Sequence, residues 1–68
     1  MTVLPSKTDA ISYVLACEAR WGLPLASSVH AETHKGDDST CGEDTVRVST
    51  DANIWDVWLE NGNIYGEC

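Results

Sequence analysis

The chain has 68 residues and carries eleven acidic side chains against four basic ones, a net charge of −7 with both histidines neutral. That length holds one domain with one small core, burying only about 60% of its unfolded surface. The charge excludes a chain that grips nucleic-acid or membrane phosphates and steers it toward basic partners. Residues 1–34 carry Asp9, Glu18 and Glu32 against Lys7 and Arg20. Residues 35–68 carry Asp37, Asp38, Glu43, Asp44, Asp51, Asp56, Glu60 and Glu67 against only Lys35 and Arg47. Nearly the whole deficit therefore sits in the second half. With 43% hydrophobic residues and three tryptophans, the composition suits a folded chain rather than a disordered one. No run of ~18 apolar residues offers a membrane-spanning helix, and no basic-then-apolar leader marks a secretory signal. A cytoplasmic location is the expectation.

Residues 6–21 predict one amphipathic helix. Ser6 suits the N-cap, with Asp9 placed to answer it in a capping box. Ala10, Val14, Cys17 and Trp21 recur at helical spacing with Ile11 and Leu15 alongside, while Ser12, Glu18 and Arg20 read as lying off that stripe. Gly22 fits the left-handed position after the last turn, Leu23 supplies the follow-on apolar contact, and Pro24 blocks continuation.

Residues 28–34 alternate with period two. As a strand they would turn Val29, Ala31 and Thr33 to the core and His30, Glu32 and His34 outward; a loop or short helix is the alternative. Residues 35–44 read as a polar connection rich in turn formers. Residues 45–50 alternate again, with Val46 and Val48 on one face and Arg47 on the other, before Asp51-Ala52-Asn53 turns the chain.

Residues 54–60 and 63–68 flank Asn61-Gly62, the preferred pair for a two-residue type I′ hairpin. That loop pairs Glu60 with Asn63, Leu59 with Ile64, Trp58 with Tyr65, Val57 with Gly66, Asp56 with Glu67 and Trp55 with Cys68. Trp55, Val57, Leu59, Ile64 and Cys68 form a core face. Asp56, Trp58, Glu60, Tyr65 and Glu67 form the outer one. The expected fold is α+β: one N-terminal amphipathic helix packed on a three- to four-stranded antiparallel sheet that ends in a C-terminal β-hairpin.

The outer hairpin face sets Asp56 directly across from Glu67, where like charges destabilise, beside two large rings. Carboxylates around Trp58 and Tyr65 suit a partner offering Arg or Lys, since acids attract the cation and rings stack on it. The plainer alternative is a Trp–Tyr pair that only stabilises the hairpin. Asp37, Asp38, Glu43 and Asp44 form a second acidic group, either a solvated loop or an extension of that negative face. In the second case the two groups together imitate the spaced charges of a nucleic-acid backbone.

Cys17, Cys41 and Cys68 make an odd count without CxxC spacing, so three free thiols are expected in a reducing compartment. A single bridge is the alternative, with Cys41–Cys68 the pair to test; closing that loop would add roughly 3–4 kcal/mol. His30, Glu32 and His34 would share one side of a strand, and two histidines with a carboxylate form a known iron ligand set. With Cys41 they define a second reading, a small metal-binding or redox accessory protein. The spacing is not HExxH, however, and so small a domain leaves little room for a supporting shell. No cofactor is expected, and no local spacing supports a nucleophile or a general acid–base pair, so an enzyme is not expected.

An acidic chain with one helix, then Thr-Val-Arg-Val, then Trp-x-x-Trp-Leu-Glu-Asn-Gly-Asn-Ile-Tyr, resembles small phage-encoded anti-CRISPR proteins, specifically inhibitors of type I effectors. The stretch that carries the resemblance is roughly residues 45–68. It implies a stoichiometric inhibitor acting in the bacterial cytoplasm during phage infection, in several cases by presenting negative charge to a DNA-binding subunit. It assigns no residue roles; those come from the hairpin and loop alone. Trp58 and Tyr65 would anchor, Asp56, Glu60 and Glu67 would pair with Arg or Lys, and Asp37, Asp38, Glu43 and Asp44 would steer. The expected partner is a basic protein surface, with no direct nucleic-acid contact, no membrane contact and a monomeric chain. A third reading is a structural accessory that self-associates through its exposed rings.

Overall fold

The computed structural model describes residues 3–68, with Ser39 described by its backbone alone. Met1 and Thr2, part of the segment in which no secretory signal is expected, lie outside the described residues. Helix α1 spans Lys7–Arg20, followed by strands β1 (Val29–His34), β2 (Thr45–Thr50), β3 (Ile54–Glu60) and β4 (Asn63–Glu67), with a single 3-10 turn at Asp38–Thr40. The strands form one antiparallel sheet in the order β1-β2-β3-β4, and α1 packs on one of its faces. The predicted α+β architecture holds, with four strands and with residues 29–34 as a strand rather than a loop or helix. Among the described residues no helix is long and apolar enough to cross a membrane.

The helix forms where its caps dictate. Ser6 Oγ accepts from the Asp9 N–H at 3.0 Å, which satisfies one of the orphan donors of the first turn. Among the described residues no return bond runs from Asp9 to Ser6, so half of the expected capping box forms. At the other end Gly22 adopts φ +80°, and its N–H reaches the Ala19 carbonyl while Leu23 N–H reaches Glu18. That pair of bonds is a Schellman motif, which only a residue tolerant of positive φ completes without strain.

Ala10, Val14 and Cys17 bury against Val46, Val48, Trp55 and Val57 of the sheet. Each fully buried valine adds about 1.5–3 kcal/mol, so the core is short of aliphatic volume for a chain this size. Two residues depart from expectation here. Trp21 is 57% exposed; it lies past the last helical turn and packs its indole on Trp55, centroids 5.0 Å apart. Glu18, expected off the apolar stripe, is instead 3% exposed.

Glu18 is buried because the sheet supplies donors to receive it. Its Oε2 accepts from Trp55 Nε1 at 2.9 Å, Thr50 Oγ1 at 2.8 Å and Asn53 Nδ2 at 3.2 Å. Among the described residues no cation lies within salt-bridge distance of it. Burial pushes its carboxyl up, but the three donors together outweigh burial and the nearby Asp51 charge, and the group titrates below its ordinary value. Beside it, Asp51 accepts from the backbone N–H groups of Ser27 and Ser28 and from the Ser27 hydroxyl. These bonds hold the Asp51 carboxyl below its usual range. Two carboxylates thus tie the end of α1 and the connection after it to the β2–β3 turn.

The hairpin follows its turn residues. Asn61 and Gly62 both take positive φ, 53° and 79°, as a type I′ turn requires. The register runs from Glu60↔Asn63 to Asp56↔Glu67, as the sequence predicts. Pairing stops there: Cys68 lies beyond β4 and is exposed, so it does not join the core face across from Trp55. At Gly66 an added Cβ would stand 2.7 Å from the Tyr13 ring, so the bare backbone there is what lets α1 lie close on β4.

A folded-state carboxyl held below its unfolded value stabilises above that unfolded value, and the contribution is lost as pH falls through the folded one. Wild type should therefore lose stability as pH drops below about 4.5, the ordinary value for Glu18. Glu18→Gln, which leaves at least one buried donor without its anion, should cost about 2 kcal/mol at pH 7. For a chain of this size that is a fall on the order of 10 °C in Tm. The acid-dependent loss should shrink without vanishing, because Asp51 acts in the same sense. Thermal melts at pH 7, 5 and 3.5 followed by circular dichroism read both effects; equal Tm values for the two proteins at pH 7 would refute this account.

Candidate functional site

The face of the sheet away from α1 carries every second residue of the four strands. Register aligns one row across it: Glu32 opposite Arg47, Arg47 opposite Asp56, Asp56 opposite Glu67. A second row holds Trp58 opposite Tyr65. The two rings stack with centroids 6.3 Å apart and planes 24° from parallel. Tyr65 is 41% exposed and Trp58 half-buried, so the pair sits at the solvent boundary as the hairpin register predicts.

Asp56 is not free to meet a partner. Arg47 Nε donates to its Oδ1 at 2.9 Å and Nη2 to its Oδ2 at 3.1 Å, while Thr45 Oγ1 adds a third bond at 3.0 Å. This fork, the strong planar form of an arginine–carboxylate pair, raises the Arg47 guanidinium further above its usual value against the opposing effect of burial. No local signal in the sequence announces it. Arg47 was legible as outward-facing, but the pairing depends on the β2–β3 register, which the Asp51-Ala52-Asn53 turn does not specify. The fork also removes the like-charge conflict expected between Asp56 and Glu67 by neutralising one member.

The 35–44 connection is a folded lip rather than a loose loop. Asp44 Oδ1 accepts from Gly36 N–H at 2.7 Å, and Asp37 O accepts from the Thr40 and Gly42 N–H groups. Gly36 lies against the Gly42 backbone so closely that no Cβ fits between them. Cys41 and Gly42 take positive φ to reverse the chain. Antiparallel pairing puts this lip at the same end of the sheet as the β3–β4 turn.

Between lip and hairpin runs an open groove of about 410 Å³. Its lining includes Glu43 and Asp44 from the lip and Asp56, Glu60 and Glu67 from the hairpin, with Trp58 as its large ring and Cys41 at its rim. The two acidic groups separated in sequence therefore meet at one site. Asp37 and Asp38 do not line it; Asp37 bonds His34 Nε2 at 2.9 Å, and Asp38 is exposed on the 3-10 turn. Tyr65 backs Trp58 without lining the groove. Asp44 is spent on the Gly36 bond and Asp56 on Arg47. Among the described residues, Glu43, Glu60 and Glu67 are the lining carboxylates with neither a hydrogen-bond nor an ion-pair partner.

The histidines on β1 part company. His30 Nε2 lies 3.7 Å from Glu32, while His34 turns to Asp37. Among the described residues no group of three or more His, Cys, Asp or Glu side chains is placed to hold a metal ion. All three cysteines are free thiols, Cys17 buried and Cys41 and Cys68 exposed, so the trial Cys41–Cys68 bridge is not formed. Comparison with protein-family models, curated proteins and solved structures gives no match.

The two carboxylates facing each other across β3 and β4 should behave oppositely on reversal. Asp56→Lys sets a cation against Arg47 and should cost about 1–2 kcal/mol, lowering Tm by roughly 5–10 °C. Glu67→Lys places a cation opposite Asp56 and should leave Tm unchanged or slightly raised. Thermal melts of the two variants side by side test the assignment, and equal losses would contradict it.

Proposed function

We propose that this protein is a non-catalytic inhibitor whose acidic sheet face occupies a basic nucleic-acid-binding surface on another protein. The observation that supports the reading is the groove itself, where Glu43 from the lip and Glu60 and Glu67 from the hairpin converge on Trp58. Carboxylates without internal cations repel one another, and a partner's Lys or Arg side chains relieve that repulsion on binding. The rest of the negative charge, including Asp37 and Asp38, raises the encounter rate with a basic partner without needing direct contact. The resemblance of residues 45–68 to anti-CRISPR inhibitors nominates the partner class, a DNA-binding subunit of a bacterial CRISPR effector complex.

Competition tests the reading directly. Purified type I effector complexes, incubated with this protein and then with labelled target DNA, should lose the shifted DNA band at stoichiometric inhibitor. A Glu43→Lys/Glu60→Lys/Glu67→Lys variant, folded by circular dichroism, should need more than tenfold higher concentration. Inhibition should also weaken steeply between ~50 and ~200 mM salt, as expected when exposed charges dominate association. Full DNA binding in the presence of excess inhibitor, across the effectors tried, would overturn the proposal.

A further inference from the structure

Among the described residues no second layer covers the sheet face opposite α1, and the large ring exposed there stands beside carboxylates that have no ion-pair partner. Tyr65 stacks on Trp58, and the Trp58 indole also lines the groove, so the pair presents a broad, stiff aromatic wall. Glu60 and Glu67 stand on the same hairpin as that wall, and neither has a cation among the described residues. A flat cation that stacks and bonds in its own plane satisfies both features at once; a spherical ammonium satisfies only the charge.

The molecule already holds one such group on this face. Arg47 lays its guanidinium against Asp56 with two parallel bonds of 2.9 and 3.1 Å, one step along the row from Glu67. The row Glu32, Arg47, Asp56, Glu67 therefore alternates in charge until its last member, which lacks the next cation.

We propose that the groove docks an arginine side chain of a partner protein, its guanidinium lying on the Trp58 indole and bonding to Glu67 and Glu60. This deepens the acidic-decoy reading and rests on it: that reading requires only positive charge, whereas this one requires the planar guanidinium. Arginine in place of lysine gives the partner two in-plane donors toward a carboxylate and a face for the ring. The occupant is thus an arginine-bearing protein surface rather than a lysine-rich one.

Titration calorimetry with hexa-arginine and hexa-lysine peptides, each at 50 and 150 mM salt, separates the two claims. Hexa-arginine should bind at least fivefold tighter than hexa-lysine at both salt concentrations. Trp58→Leu should reduce that preference to less than twofold while changing hexa-lysine affinity by no more than twofold. Should that variant fail to fold by circular dichroism, Tyr65→Leu, at a more exposed position, should narrow the preference in the same direction. Equal, salt-sensitive binding of both peptides would overturn the arginine assignment and leave the acidic decoy standing. Binding of neither peptide would overturn both.

Discussion

Everything in this small fold hangs on one carboxylate oxygen. Glu18 Oε2 gathers a donor from β3, one from β2 and one from the turn between them, and so fixes how the helix lies over the sheet. An isolated buried carboxylate costs several kcal/mol, and aliphatic packing from four valines leaves no large reserve to absorb that cost. Three hydrogen bonds to a charged acceptor reverse the balance, because each is stronger than its neutral counterpart and the acceptor itself is buried. The same bonds leave the Trp55 indole N–H satisfied, which lets that ring reach 2% exposure and complete the core.

That anchoring sits at the β2–β3 end of the molecule, and the groove sits at the other. Helix end, Ser27–Asp51 tether and Trp21–Trp55 pair cluster where β2 turns into β3. The lip, the Asn61-Gly62 turn and the Trp58–Tyr65 pair cluster where β1 leaves the sheet and β3 turns into β4. Among the acids that line the groove, Glu43, Glu60 and Glu67 carry no structural bond, whereas Asp44 and Asp56 do. Those two close the lip and brace the sheet face. They shape the groove while contributing less of its open charge than their position suggests.

Local signals made the frame legible in the sequence. Ser6, Gly22 and Pro24 punctuate the helix because caps act within a few residues, and Asn61-Gly62 fixes the hairpin register because a two-residue turn leaves no slack. Burial of Glu18 overturns the reading that set it off the apolar stripe: it falls four residues after Val14 and three before Trp21, and its charge alone argued for solvent. Only the tertiary placement of Trp55, Thr50 and Asn53 resolves that conflict. The Arg47–Asp56 fork was hidden for the same reason, and the meeting of lip and hairpin stood only as one of two alternatives. Each depends on strand register across a turn without a specifying residue pair, or on the backbone approach of Gly36 to Gly42.

The open sheet has a consequence for how the protein behaves in acid. β1 and β4 are edge strands, each presenting a side with no neighbour to pair with, and such sides template the addition of like chains. At neutral pH mutual repulsion among molecules of charge −7 keeps those sides apart. Acidification toward the isoelectric point near 4.3 withdraws that repulsion, whereas Glu18 and Asp51 are held charged further into acid than ordinary carboxylates. Loss of colloidal protection thus comes first and release of the helix follows, so edge-to-edge association of folded chains competes with unfolding as the chain is acidified.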